Sequence, residues 1–327
     1  MVPHDHALII NHPDAGFISV AGDDACGFLQ SIITANVEAS AAGACCPSAL
    51  LTPQGRILID MMVYRSAKNK FYMRCDLARR DDLFNRLRKY RLRRPIELTI
   101  ETDLRLYLLI ANKAVNQSRE ETLRKTIDHL SKSGEIIMAC SDPRSSDLGT
   151  HIIVKGDKIN ATSDRIDVWH KTRITNGIPE GAIDLTPERA LMLEAGLDHL
   201  GAVDFGKGCY VGQEVTARTH YRGLVKRRLV PLLITGAPPT LHSDIIWNGK
   251  VIGTSRTTAP NDNGTAVCLA LLKLSDIHTI LDAGNNNIIK DKNGSDRSKN
   301  SGLTVNDNPA SLAIPDWMMP LPRPKKS

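Results

Sequence analysis

The stretch "FGKGCYVGQEV", residues 205–215, holds the densest chemistry in this 327-residue chain. Lys207 precedes Cys209 by two residues, glycines stand at 206, 208 and 212, and Gln213 and Glu214 come next. A free thiol has a pKa of about 8.5, so only a small fraction is thiolate at neutral pH. Two features could lower that value. In an extended segment the side chains of Lys207 and Cys209 project the same way. "VGQEVTAR" has the pattern of a helix start, which sets Cys209 just before a helix N-terminus, where the dipole favours negative charge. An activated thiol and a loop cysteine that merely packs are both consistent with these residues. His220 is near in sequence, but a lone histidine is more often a surface residue, so a Cys–His hydrolase has little support.

A second candidate lies in "GRILIDMMVY". The alternation predicts a strand with Ile57, Ile59, Met61 and Val63 on one face and Leu58, Asp60, Met62 and Tyr64 on the other. Asp60 then sits among apolar neighbours, where a carboxylate is costly unless it has a partner. Either that face is half exposed, or Asp60 has a specific role.

The elements that must position these residues are partly legible. "DDACGFLQSIITANV" reads as an amphipathic helix with Ala25, Phe28, Leu29, Ile32 and Ile33 inward and Asp23 or Asp24 as cap. "RRDDLFNRLRKYRL" reads as a helix with Leu83, Phe84, Leu87 and Tyr90 inward, and "KFYMRC", "IELTI" and "LRLYLLI" read as strands. Residues 111–165 are polar and mixed, and no element is assigned there. From "VKRRLVPLLITG" onward short strands dominate, and Asn248-Gly249 in "IIWNGKVIGTS" is a strong hairpin signal. These predict a small antiparallel barrel or sandwich from about residue 228, interrupted by a long polar loop near 282–302.

Composition narrows the function classes. Aromatic residues make up only 4 % of the chain, which argues against stacking platforms for single-stranded nucleic acid. The formal charge is +6, and residues 79–94 alone carry eight Lys or Arg against two Asp. That run is either a solvated helix face or a basic surface for an anionic partner such as a polyglutamyl tail or RNA phosphates. Nucleic acid is not the expected partner. No stretch reaches the roughly 18 apolar residues of a membrane helix, so no membrane partner is expected. The N-terminus has no leader pattern, and the reading is a cytoplasmic protein. The seven cysteines include no C-x-x-C pair, so no metal site is expected from them.

"KGCYVGQE", followed by "ARTHYRG" and "VKRRL", resembles the signature of the YgfZ-type folate-binding proteins, relatives of the glycine cleavage T-protein (aminomethyltransferase). "GDDACGFLQSIITANV", "LLTPQGRILIDMMVY", "DPRSSDLG", "RITNGIPEG", "GKVIGTSRT" and "SLAIPDW" fall in the order expected of that family. The resemblance implies an α+β fold, with a T-protein-like folate-binding region of two interwoven subdomains over 1–227 and a C-terminal antiparallel β-barrel over 228–327. It implies tetrahydrofolate or a derivative as cofactor. It further implies work on the assembly or repair of [4Fe-4S] clusters, with iron–sulfur assembly proteins and client enzymes as partners, radical tRNA-modifying enzymes among them. Cys209 matches the residue regarded as key in that group. Lys207, Tyr210, Gln213, Glu214 and Arg218 match the same motif as site or site-supporting residues. Asp60 falls on the T-protein's catalytic aspartate, with Tyr64 on the same strand face, and Glu194 in "LMLEAGL" falls near the folate pocket.

The departures from the T-protein are specific. Its Gly-Tyr-Thr-Gly-Glu loop has no counterpart around "LGTHIIVKG", and an arginine it carries before the "LEAGL"-like helix appears as Glu188. A conventional enzyme is therefore not the leading expectation. The alternative is a tetrahydrofolate-dependent aminomethyltransferase that uses Asp60 and is indifferent to Cys209.

Overall fold

The structure is a computed structural model that describes residues 7–111, 121, 125, 127–128, 136–156, 159, 161, 165–261, 263–286 and 302–323. The chain forms two compact units. The first comprises Met1–Trp169, Pro187–Arg189 and Leu200–Gln213, and the second His170–Thr186, Ala190–His199 and Glu214–Ser327.

The first unit is built on two antiparallel sheets. Its elements are β1 (Ala7–Asn11), β2 (Ala15–Ala21), α1 (Ala25–Ile32), β3 (Cys45–Leu51), β4 (Ile57–Ala67), β5 (Lys70–Asp76), α2 (Arg80–Arg91), β6 (Glu97–Glu101), β7 (Leu104–Ala111), β8 (Ile136–Ser141) and β9 (Thr150–Lys155). One sheet has the order β3-β4-β5-β2-β6 and the other β1-β7-β9-β8. The apolar stripe of α1 (Ala25, Phe28, Leu29, Ile32) packs with Leu83 and Leu87 of α2 and with Ile59, Met61 and Val63 of β4 in one core. Helical and strand periods thus place the same residue types on one buried surface. Asp24 occupies the N-cap position of α1 without a side-chain capping bond, because its carboxylate takes Arg94 Nη1 at 3.2 Å instead. In α2, Phe84 is half-buried and Tyr90 is exposed, so the inward stripe is narrower than the sequence predicts.

The second face of β4 differs from the half-exposed reading. Leu58, Met62 and Tyr64 are all buried, and Asp60 is the one residue between Ile57 and Tyr64 that is not.

The second unit contains most of α3 (Ile166–Thr175) and α5 (Gln213–Arg222), together with α4 (Gly181–Asp184) and a barrel. The barrel strands are β10 (Arg227–Thr235), β11 (Asp244–Trp247), β12 (Lys250–Pro260), β13 (Thr265–Lys273), β14 (Leu303–Val305) and β15 (Asn308–Leu312), with α6 (Leu274–Asn286) following β13. They close in the order β10-β13-β12-β11-β14-β15, so no edge strand is left open. The fold is therefore α+β with a closed antiparallel barrel. The β11–β12 hairpin turns on Asn248 and Gly249, both at positive φ (48° and 79°), as a two-residue loop requires. Residues 282–286, read from sequence as the start of a polar loop, instead end α6; positions 287–301 lie outside the described residues.

Candidate functional site

Segment 202–213 belongs to the first unit and is laced to the chain after α1. Thr34 Oγ1 donates to Ala202 O at 2.6 Å, and the Asp204 amide donates to Thr34 O at 3.1 Å. Asn36 Nδ2 donates to Asp204 Oδ2 at 2.9 Å, while the amides of Gly206 and Lys207 donate to Asp204 Oδ1 at 2.7 and 3.0 Å. The bond from Asn36, helped by those amides, holds the Asp204 carboxyl below its ordinary pKa. A carboxylate so held bends the chain through 205–207 and fixes the course of the loop beyond it.

Lys207 turns inward. Its ammonium donates to Ile33 O at 2.7 Å and to Ala35 O at 2.6 Å, and lies 5.2 Å from the centre of the Tyr210 ring. Burial pushes its pKa down to about 8. Tyr210 is buried as well, its hydroxyl has no hydrogen-bond partner among the described residues, and burial pushes its pKa up to about 12.

Cys209, by contrast, is exposed. The bend breaks the alternation of an extended segment, so Lys207 and Cys209 do not share a side. The Lys207 ammonium, which strand alternation would set beside the thiol, is engaged with two carbonyls. The loop is fixed again after the cysteine. Gly212 has φ +84°, and a Cβ there would stand 2.5 Å from Thr52 O and 2.9 Å from Leu51 Cβ, at the β3–β4 turn. Only glycine allows both that conformation and that approach. By contrast, a Cβ at Gly208 would meet nothing within 4 Å. Helix α5 begins at Gln213, as its sequence predicts, and its amide donates to Tyr210 O at 3.2 Å. Glu214 and Arg218 are exposed on α5 and Gln213 is half-buried.

Asp60 lies on β4, paired in register with Ala49. Glu194, in the second unit, is half-buried, and its carbonyl accepts from the Leu229 amide at 2.8 Å. Tyr64 is fully buried, and its hydroxyl meets His151 Nδ1 at 2.8 Å. His151 Nε2 lies 3.1 Å from Asp142 Oδ2, an electrostatic contact not aligned as a regular hydrogen bond. Arg144 grips the same carboxylate through Nε (3.0 Å to Oδ1) and Nη2 (2.7 Å to Oδ2). Burial works against the charge on Asp142, but Arg144 and His151 outweigh it and hold the carboxyl below the usual range. Sequence reasoning overlooked this buried group. Its one signal was "DPRSSDLG", which supplies Asp142 and Arg144.

On α2 and its flanks, Asp82 takes Arg79 and Arg86 at 2.8 Å each and Asp81 takes Arg80 at 3.0 Å. Part of that positive run is thus neutralised locally. Among the described residues no three His, Cys, Asp or Glu side chains gather in a way that could hold a metal ion, and no helix is long and apolar enough to cross a membrane.

Comparison with known proteins extends this picture. A family model described as the GCVT N-terminal domain matches residues 4–111, and one described as the CAF17 C-terminal beta-barrel domain matches 226–320. The mitochondrial iron-sulfur cluster assembly factor IBA57 of Mus musculus is 33 % identical over 241 residues, covering 68 % of this chain and 65 % of that protein. The Homo sapiens factor is 31 % identical over 239 residues, with the same coverage, 68 % and 65 %. The IBA57 homolog of Neurospora crassa is 32 % identical over 240 residues, covering 69 % of this chain and 54 % of that protein. The matches thus span between about half and two thirds of these relatives' length. Among solved structures, the glycine cleavage system aminomethyltransferase T from Bartonella henselae superposes with a TM-score of 0.65 at 16 % identity, over 83 % of this chain and 79 % of that one; the likeness is one of fold. The chain combines a GCVT-like domain with a CAF17-type barrel and is homologous to IBA57 assembly factors. The cytoplasmic reading is corrected here, because these relatives are named as mitochondrial. A missing leader pattern within the chain carries no information about compartment.

Proposed function

We propose that this chain serves iron–sulfur cluster assembly as a YgfZ-type folate-binding factor, with the Cys209 thiol as its working group. The observation that carries the reading is an exposed thiol on a loop fixed on both sides, by Lys207 and Asp204 before it and by Gly212 after it. A thiolate is both a nucleophile and a soft metal ligand, and an exposed one can meet a cluster carried by another protein. The partners are iron–sulfur assembly proteins and [4Fe-4S] client enzymes, radical tRNA-modifying enzymes among them. The role named for the IBA57 relatives supports the reading.

A reduced folate belongs to the same proposal. Asp60 fits such a ligand, because it is the one residue of the Ile57–Tyr64 run that is not buried, and a carboxylate there accepts hydrogen bonds from pterin N–H groups. Bound folate would supply a one-carbon carrier. Tyr64, closed in with His151, supports the strand that presents Asp60. Aminomethyl transfer is not favoured, since the relatives named above are assembly factors and the aminomethyltransferase likeness is one of fold.

The test measures [4Fe-4S] enzyme activity in cells lacking the protein, after return of wild type or Cys209→Ser. The expected result is recovery with wild type and not with the serine variant. Equal recovery with both would reject the thiol's role, and recovery with neither would reject the assembly role.

A further inference from the structure

Strand register brings two cysteines into one buried space. In the antiparallel β3–β4 pair Cys45 stands opposite Tyr64, and in the β8–β9 pair Cys140 stands opposite His151. Directly paired residues of antiparallel strands project to the same face. The Tyr64 hydroxyl and His151 Nδ1, 2.8 Å apart, join those two faces, so both thiols open onto the same gap between sheets. Cys45 Sγ donates to Ser141 O at 3.5 Å, the residue after Cys140. Cys46, next in sequence, packs against the other core, the one formed with α1.

We propose that Cys45 and Cys140 form a reversible disulfide, made by exchange with a low-molecular-weight disulfide. The proposal is independent of the function assigned to Cys209. Cys140 is half-buried and Cys45 buried, so Cys140 is the point of entry. Its thiolate attacks one sulfur of the small disulfide RSSR and expels RS⁻, which takes up a proton. Cys45 then gives its proton to solvent, its sulfur attacks the Cys140 sulfur of the mixed disulfide, and the second RS⁻ leaves. The balance is two protein thiols and RSSR consumed, one protein disulfide and two RSH formed. The neighbouring Cys140, reinforced by burial, raises the Cys45 thiol above its ordinary pKa. The other polar groups at the gap are already matched to one another: Tyr64 to His151, and Asp142 to Arg144. Closing the bond therefore exposes no new charge.

The full chain is incubated with oxidised glutathione under native conditions, remaining thiols are alkylated, and the digest is mapped by mass spectrometry. The expected product is a peptide pair joined through Cys45 and Cys140 that disappears on reduction, with Cys209 carrying glutathione only. Cys46→Ser retains the link, and Cys45→Ser replaces it by glutathione on Cys140. Fragmentation of the wild-type peptide pair distinguishes Cys45 from Cys46, so the result stands even where a variant folds poorly. The oxidised chain also melts at higher temperature than the reduced one. A Cys46 link, or alkylated Cys45 and Cys140 alongside fully modified Cys209, would overturn the proposal.

Discussion

Replacing Lys207 by methionine tests how the motif loop is held. Methionine keeps much of the length and apolar stem but removes the charge and both hydrogen bonds, to Ile33 O and Ala35 O. Charge-assisted bonds of this kind are each worth ~1.5–3 kcal/mol net. Against them stands the cost of burying the ammonium, which lowers its pKa from 10.5 to about 8. The unfolded chain keeps this proton up to its ordinary pKa, whereas the folded chain releases it near 8. Between those values the unfolded state binds more protons, so the wild type gains stability as pH rises through the window. At ~1.4 kcal/mol per pH unit the full window would be worth ~3 kcal/mol, which residual solvent reduces to ~1–2 kcal/mol. We expect Lys207→Met to lose ~1–4 kcal/mol at pH 7, and the gap to widen by ~1–2 kcal/mol by about pH 10. Urea denaturation of both proteins at the two pH values measures this, and taking the difference between them cancels the other titrating groups. A gap that stays constant or narrows with pH would refute the burial argument. A variant as stable as wild type would refute the anchoring argument.

Two further substitutions probe the same loop. Gly212→Ala forces a side chain into φ +84° and against Thr52 O, and should cost at least ~2 kcal/mol in denaturation, whereas Gly208→Ala, with open space around it, should stay within ~0.5 kcal/mol. Tyr210→Phe removes a buried hydroxyl that has no partner among the described residues, so thermal melting should show no loss and a gain of up to ~1 kcal/mol.

Legibility in the sequence tracked the range of the interactions. The α1 stripe and the Asn248-Gly249 hairpin were readable because periodicity and turn chemistry act over a few residues. Helix α6 had the same kind of signal in Leu274, Ile277 and Ile280, all buried. The Asn- and Gly-rich run directly after them masked it. Strands β8 and β9 pair with each other across a short connection, but each is a brief apolar run without alternation, so no period marks it as a strand in a mixed stretch. The group of Cys45, Tyr64, Cys140, Asp142 and His151 is illegible for another reason: only register across two sheets brings it together.

The "KGC" tripeptide shows how strand alternation can mislead in a bent loop. Strand alternation puts residues 207 and 209 on one side, and from that premise Lys207 becomes the activator of Cys209. The Asp204 carboxylate, accepting from the amides of 206 and 207, bends the chain and removes the premise. Lys207 then fills a buried slot with two carbonyl acceptors, a place that a long cationic side chain suits, and Cys209 is left facing solvent. The inward residues of the motif, Lys207 and Tyr210, hold the loop and leave the thiol exposed, as the proposed role requires. That division accounts for a lysine and a cysteine that stand two residues apart in sequence and yet differ so sharply in exposure.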